Sequence, residues 1–171
     1  MRRIIIIHAW ESSPQEHWYL DEKKILEEMG HEVLVPELPG GRWPKLEEWL
    51  KVIEALTPDE NTVLIGHSLG PAAIFRYLEK SGQKVRTVIS IAGFVKSLGF
   101  KETDNFVEQS FNWDAIKKNI NKIISIAQKN DPYVPIAASK EIADKTGGEF
   151  ILVDGANHFD TMDLDLINKN L

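Results

Sequence analysis

The sequence has 171 residues, of which 43% are hydrophobic and 27% charged, and its net charge is −6 at neutral pH. This composition favours one globular domain spanning residues 1–171. The acidic balance argues against nucleic acid or an anionic membrane as partner, and the absence of cysteine excludes disulfides, thiolate metal sites and a cysteine nucleophile. The apolar run after Met1 is too short for a signal-peptide core, so we expect a cytoplasmic protein.

Apolar runs typical of strands alternate with helical patterns along the chain. The run Ile4–Ile7 consists of four isoleucines, which is typical of a strand covered on both faces. Strands are predicted at Arg3–His8, His31–Val35, Val63–Gly66, Val85–Ile91, Lys122–Ala127 and Glu149–Val153. Helices are predicted at Glu16–Met29, Lys45–Leu56, Leu69–Leu78, Trp113–Lys118, Ile136–Lys145, and from Asp160 to the C-terminus.

This alternation predicts an α/β fold, with a mostly parallel central sheet of about six strands and helices on both faces. Ligands bind such sheets at the carboxyl ends of the strands. The segment from Val95 to Asn112 reads as irregular, and we expect residues 95–111 to shape the rim of a pocket. These residues are too few for a separate lid domain.

The segment Gly66-His67-Ser68-Leu69-Gly70 lies where the third predicted strand turns into a helix. Its Gly-x-Ser-x-Gly pattern is the nucleophile elbow, in which a sharp turn strains the serine and both neighbours two residues away must lack side chains. Pro71 fits the first turn of the following helix, where its missing N–H costs no hydrogen bond. Ser68 is therefore the candidate nucleophile, rather than part of a flexible turn.

A serine nucleophile needs a base, and the base needs a group that fixes its tautomer. His158 follows the last predicted strand, and Asp131 follows the one before it. The chain order Ser68, Asp131, His158 is the order of α/β-hydrolases. As an alternative, Asp131 is only a turn residue before Pro132. Packing or solvated structural roles are expected for the remaining histidines: His8, His17, His31 and His67.

An oxyanion hole needs two backbone N–H groups. We expect Leu69, which follows the nucleophile, and Trp10, in the loop after the first strand, with Ala9 as the alternative to Trp10. The Trp10 side chain is expected to wall the pocket or simply to pack.

Other residues near the strand ends have weaker signals. Phe94, Tyr133 and Phe159 are candidates for the pocket lining. Three acidic residues suggest either a metal site or favourable charges at a helix N-terminus, and we favour the second: Asp160, Asp163 and Asp165. No metal-binding motif spacing is present.

Taken together, these motifs resemble the small α/β-hydrolases of the YdeN type, which include the retinoblastoma-binding-protein serine hydrolases. The resemblance is carried by Ile4–Trp18, Gly66–Gly70, Ser97–Gly99, the helix at Trp113, Asn130–Pro135 and Asn157–Phe159. It implies a compact hydrolase fold without a large lid domain and a triad of Ser68, Asp131 and His158. Ala9 departs from the glycine that related hydrolases often carry.

The expected function is a serine hydrolase that cleaves small acyl esters through an acyl-enzyme, with no cofactor and no metal. A peptidase or thioesterase with the same triad is an alternative. A protein-interaction module with little turnover is another, so the sequence leaves a protein partner open.

Overall fold

The computed structural model describes all residues from Met1 to Leu171. The strands are β1 (Arg3–Ile7), β2 (Glu32–Leu34), β3 (Thr62–His67), β4 (Val85–Ile91), β5 (Ile120–Gln128) and β6 (Glu149–Val153). The helices are α1 (Tyr19–Glu28), α2 (Leu46–Ala55), α3 (Gly70–Ser81), α4 (Asp104–Val107), α5 (Trp113–Lys118), α6 (Ile136–Thr146) and α7 (Asp165–Asn168). A 3₁₀ turn at Lys101–Thr103 precedes α4.

The six strands form one sheet in the order β2-β1-β3-β4-β5-β6, and every pair is parallel. The predicted six-stranded α/β architecture is confirmed, with a sheet that is parallel throughout. Parallel pairing brings all the carboxyl ends to one edge. That edge is marked by Ile7, His67, Ile91, Gln128 and Val153.

Helices cover both faces of the sheet. The chain moves from β1 to β2 in one direction and from β2 to β6 in the other, so right-handed crossovers place α1 opposite α2, α3, α5 and α6. These four helices pack against one another in sequence. The charge of Asp165, at the start of α7, helps to raise the pKa of Glu22 in α1. None of the helices combines the length and apolar character needed to cross a membrane.

The core is a single cluster of 40 buried residues on and around the sheet. Ile4, Ile5, Ile6 and Ile7 are fully buried, as expected for an inner strand covered on both faces. Burying each such side chain stabilises the fold by about 1.5–3 kcal/mol. The isoleucine run therefore anchors β1, and with it the loop that follows.

Two predicted helices begin three or more residues later than expected, and a third, predicted at Leu69–Leu78, extends to Ser81. The first does not begin at Glu16, because His17 has a φ of 54° and cannot continue a right-handed helix, so α1 begins at Tyr19. The last does not begin at Asp160 and is only four residues long. There the Asp163 carboxylate accepts the N–H of Asp165, which delays the helix start.

Candidate active site

The turn between β3 and α3 places Ser68 in a strained conformation at the sheet edge, with a φ of 57°. The Ser68 N–H donates to the carbonyl of Ile91 at 2.9 Å, which fixes the turn against β4. A Cβ on Gly66 would lie 2.5 Å from the Pro71 nitrogen, and a Cβ on Gly70 would lie 2.4 Å from the Ile7 carbonyl oxygen. Neither position accepts a side chain, as the elbow motif requires.

Ser68, His158 and Asp131 form one line of hydrogen bonds. The Oγ of Ser68 lies 2.9 Å from Nε2 of His158, and Nδ1 of His158 lies 2.7 Å from Oδ2 of Asp131. A carboxylate accepts, so Nδ1 of His158 carries the proton and Nε2 is free to accept from the serine hydroxyl. A serine bonded in this way to a base and its orienting acid can be activated for attack. The structure therefore brings together the three residues that the sequence singled out.

The Asp131 carboxylate is almost completely shielded, with its side chain 1% exposed. Its second oxygen accepts the N–H groups of Tyr133 and Val134, both at 2.9 Å. Burial alone would raise the pKa of Asp131, but the hydrogen bonds from His158, Val134 and Tyr133 outweigh it and lower the pKa. Asp131 thus stays ionised beside His158.

Two amide side chains hold the loops of Asp131 and His158 together. Nε2 of Gln128 donates to Oδ1 of Asn157, and the N–H of Asn157 donates to Oε1 of Gln128, both at 2.9 Å. Sequence reasoning missed this pair. The available signal was an amide side chain at the carboxyl end of each of two neighbouring strands: Gln128 ends β5, and Asn157 follows β6.

The N–H groups of Leu69 and Trp10 donate to no other group of the protein. The N–H of Ala9, the alternative donor, is occupied by the Tyr19 hydroxyl at 3.0 Å, which favours Trp10. Nδ1 of His8 lies 2.8 Å from the Ala9 carbonyl oxygen and holds that peptide from its other side. Since the N–H and C=O of a trans peptide point in opposite directions, His8 also sets the direction of the Trp10 N–H.

His67, expected to pack or bond locally, instead bonds across the fold. Its Nδ1 lies 2.7 Å from the Tyr19 hydroxyl, and its Nε2 lies 2.9 Å from the His158 carbonyl oxygen. Burial, with the nearby His158 as a second cause, lowers the pKa of His67 to about 3. His67 is therefore a neutral part of the site, a role that sequence reasoning missed.

A pocket of about 340 Å³ opens above Ser68 and His158. Its apolar lining comes from Ala9, Trp10, Phe94, Leu98, Phe100, Tyr133 and Val134, and its polar lining from Glu11, His17 and Asp160. Ser68 is 9% exposed, so a reactant reaches it through this pocket. Phe94 and Tyr133 line the pocket as expected, whereas Phe159 is buried in the core.

The segment expected to shape the pocket rim does so only in part. Leu98 and Phe100 line the pocket, but Phe106, Val107 and Phe111 are buried in the core, and residues 104–107 are helical. Two of the three acidic residues after the last strand have partners: the Asp163 carboxylate accepts the N–H of Asp165, and Asp160 pairs with His17. Asp160 lies 3.1 Å from Nδ1 of His17. No group of three or more histidine and acidic side chains is arranged to hold a metal ion.

A parallel α/β sheet with a strained serine on a nucleophile elbow, bonded to a histidine after the last strand, defines the α/β-hydrolase class. Comparison with known families agrees. The family described as "Serine hydrolase" matches residues 4–163, and the chain belongs to this family. The protein is therefore a serine hydrolase.

Relatives from bacteria and animals match most of the chain. The YdeN protein of Bacillus subtilis (strain 168) is 32% identical over 163 residues, covering 92% of this chain and 86% of YdeN. Serine hydrolase RBBP9 of Rattus norvegicus is 29% identical over 146 residues, covering 83% of this chain and 77% of the relative.

Solved structures share the fold over nearly its full length. The crystal structure of the B. subtilis ydeN gene product gives a TM-score of 0.88 at 29% identity, covering 99% of this chain and 98% of that one. Est1E from Butyrivibrio proteoclasticus gives a TM-score of 0.80 at 16% identity, covering 99% of this chain and 86% of that one. The second likeness concerns the fold alone.

Proposed function

We propose that this serine hydrolase is a carboxylesterase that cleaves esters of small acyl groups. The observation that carries the proposal is the continuous hydrogen-bond line from Ser68 through His158 to Asp131 at the pocket floor. Each of the three follows its strand at the carboxyl edge of the sheet, where ligands bind. In this proposal they act as nucleophile, base and orienting acid.

In the first half of the reaction, the Oγ of Ser68 attacks the acyl carbon while Nε2 of His158 takes the hydroxyl proton. Asp131 holds the imidazole through Nδ1 and stabilises its cation. The lowered pKa of Asp131, set by its bonds to His158, Val134 and Tyr133 against the effect of burial, keeps this acid ionised for that role. His158 then delivers the proton to the leaving alkoxide, and an acyl-Ser68 ester remains.

The negative charge that develops on the carbonyl oxygen needs donors fixed in advance. The N–H groups of Leu69 and Trp10 have no other acceptor, and Trp10 lines the pocket with Ser68. In the second half, water attacks the acyl-enzyme with His158 as base, and Ser68 is regenerated. Every step uses groups of this chain and water, so the proposal includes neither a cofactor nor a metal.

The pocket supports a small acyl substrate. Its volume of about 340 Å³ lies near the lower end of small-molecule sites, and aromatic and aliphatic side chains form most of its wall. The partner is then a small-molecule ester, with no nucleic acid or membrane, in keeping with a net charge of −6. The cytoplasm is the proposed location.

Labelling with a fluorophosphonate probe at neutral pH tests the proposal, because the probe reacts only with an activated serine. Wild-type protein should be labelled, and Ser68→Ala should not be labelled while keeping its circular dichroism spectrum. Ser110→Ala is the matched control, because Ser110 lies outside this pocket and its hydroxyl has no hydrogen-bond partner in the protein. If wild-type protein is not labelled, the carboxylesterase proposal is wrong, and the protein-interaction module is favoured.

A panel of substrates distinguishes a carboxylesterase from a thioesterase or peptidase that uses the same triad. p-Nitrophenyl esters of graded chain length, acyl thioesters and peptide anilides should be compared by kcat/KM. We expect short-chain esters to give the highest values, because the pocket is small. A preference for thioesters or anilides would contradict the carboxylesterase and retain the triad.

A further inference from the structure

We propose that Tyr19 and His67 are positioning residues that hold the oxyanion loop and the loop of His158 at a fixed spacing. This proposal rests on the catalytic roles proposed above. Its basis is a chain of three hydrogen bonds, here called the Tyr19–His67 bridge. The bridge runs from the N–H of Ala9 through Tyr19 and His67 to the carbonyl of His158.

The direction of every bond in the bridge follows from its ends. The carbonyl of His158 can only accept, so Nε2 of His67 carries the proton and Nδ1 is left as an acceptor. Nδ1 therefore receives the hydroxyl proton of Tyr19 at 2.7 Å. The same hydroxyl oxygen accepts the N–H of Ala9 at 3.0 Å. The bridge has one arrangement of protons, in which the Tyr19 hydroxyl and the His67 ring each donate one hydrogen bond and accept one.

Burial keeps this arrangement fixed. His67 and Tyr19 are both fully buried. Burial raises the pKa of Tyr19, so its hydroxyl remains a donor. Burial and the neighbouring His158 lower the pKa of His67 to about 3, so His67 stays neutral at neutral pH. Trp18 packs over His67 with ring centroids 6.0 Å apart and, at 3% exposure, helps to shield the bridge.

The bridge ends at the two loops that must cooperate in the reaction. Ala9 immediately precedes Trp10, whose N–H is the proposed oxyanion donor, and His158 is the proposed base. His67 itself immediately precedes Ser68. A shift of the His67 ring therefore displaces oxyanion donor, base and nucleophile relative to one another. Displacements of about 1 Å in such groups lower rates by about 10²-fold.

The test compares Tyr19→Phe with Tyr77→Phe by steady-state kinetics on a p-nitrophenyl ester, after active-site titration with the fluorophosphonate. Tyr19→Phe removes only the hydroxyl that joins the two halves of the bridge. Tyr77 is the matched control, a buried tyrosine of α3 that does not line the pocket. We expect Tyr19→Phe to lower kcat about 10- to 100-fold with KM changed less than about twofold, and Tyr77→Phe to keep both.

A second pair of variants provides the rescue. His67→Gln retains an amide donor for the His158 carbonyl, whereas His67→Phe has none, so the glutamine variant should keep the higher kcat per titrated site. In wild-type protein, nitrogen-15 NMR of the histidine rings should show His67 protonated at Nε2 alone at neutral pH. This last measurement needs no variant and stays decisive if a substitution prevents folding.

The outcomes separate this proposal from the proposed function. If wild-type protein is not labelled at Ser68, the catalytic roles themselves are wrong. If wild-type protein is labelled but Tyr19→Phe keeps kcat within twofold of Tyr77→Phe, the bridge has no positioning role. A His67 ring protonated at Nδ1 would overturn the bridge as well.

Discussion

Among the buried polar side chains of this protein, the histidines beside the pocket and Glu22 in α1 differ in how their atoms are bonded. At the carboxyl edge of the sheet, His8, His67 and His158 each have a partner for both ring nitrogens. In α1, Glu22 is fully buried, and neither carboxylate oxygen has a partner. Beside the pocket, polar groups are held by bonds with defined directions. Within α1, burial raises the pKa of Glu22 to about 7, so the carboxyl is accommodated by keeping its proton.

The largest effect is expected from a substitution among the hydrogen-bonded groups beside the pocket. In Asp131→Asn, an amide takes the place of the carboxylate that accepts the proton of Nδ1 of His158. The amide can favour the wrong tautomer of His158, so we expect kcat to fall about 10⁴-fold with the fold intact. Ester hydrolysis per titrated site measures the fall, and Asp144→Asn, on the exposed side of α6, is the control. Near-normal turnover would mean that Asp131 is not the orienting acid.

A second test concerns Arg76, a buried charge that lies away from the pocket and whose guanidinium nitrogens are all hydrogen-bonded. The Arg76 side chain is 4% exposed and pairs with Glu79 at 2.8 Å. Its guanidinium also donates to three carbonyls, those of Phe106, Gln109 and Ser110. Arg76→Met should destabilise the fold by about 3–5 kcal/mol in urea unfolding. It removes the cation from the Glu79 carboxylate, which keeps only the Asn112 N–H at 2.8 Å, and it leaves the three carbonyls without the guanidinium donor. Lys80→Met, half-exposed on the same helix, is the control and should change little.

Glu22→Gln tests the buried carboxyl group that has no hydrogen-bond partner. Burial, and secondly the charge of Asp165, raise the pKa of Glu22 from 4.5 to about 7. Between these values the folded protein binds a proton that the unfolded chain releases, so the stability contributed by Glu22 falls as the pH rises through this window. We expect Glu22→Gln to raise the free energy of unfolding by about 2 kcal/mol at pH 8 and to change it little at pH 4.

Urea unfolding at both pH values measures this difference. Glu28→Gln, exposed on the same helix, is the matched control and should show no such dependence on pH. A Glu22→Gln variant less stable than wild type at pH 8 would show that Glu22 has a bonded partner after all.

The smallest effect is expected at the solvent-exposed contact between the two loops. Asp160 lies 3.1 Å from His17, but its side chain is 63% exposed. Asp160→Asn should therefore change the free energy of unfolding by less than about 1 kcal/mol. Asp154→Asn, which removes a similar exposed partner of Lys129, sets the scale for such pairs. If Asp160→Asn lowers the free energy of unfolding well beyond Asp154→Asn, the His17–Asp160 contact belongs to the stabilising hydrogen bonds beside the pocket.

The sequence predicted what local patterns encode. The bounds of β4, α5 and β6 are as predicted, because apolar runs and glycine or polar breaks mark both of their ends. The meeting of Ser68, Asp131 and His158 was predictable, because each follows a parallel strand and such strands share one edge. Their catalytic roles and the oxyanion role of Trp10 stay predictions.

The supporting bonds were not predictable in the same way. Tyr19 and His67 are 48 residues apart in the sequence, and His67 and His158 are 91 apart. No local period connects such residues, so the sequence does not indicate which groups a buried tyrosine or histidine bonds to. The C-terminal helix was predicted with the wrong start, because an acidic residue favours a helix start at several positions, and the choice depends on which carboxylate meets a free N–H.

The two elbow glycines decide where this enzyme can be redesigned. Because Gly70 touches the backbone of β1 and Gly66 touches that of α3, no larger residue fits beneath Ser68. In a mutant library whose varied positions lie in the elbow, we expect most members to misfold. The freedom to accept new acyl groups lies at the rim instead, where Tyr133 is 59% exposed and Leu98 and Phe100 are only partly buried. Laboratory evolution of the substrate range should therefore change these three positions first.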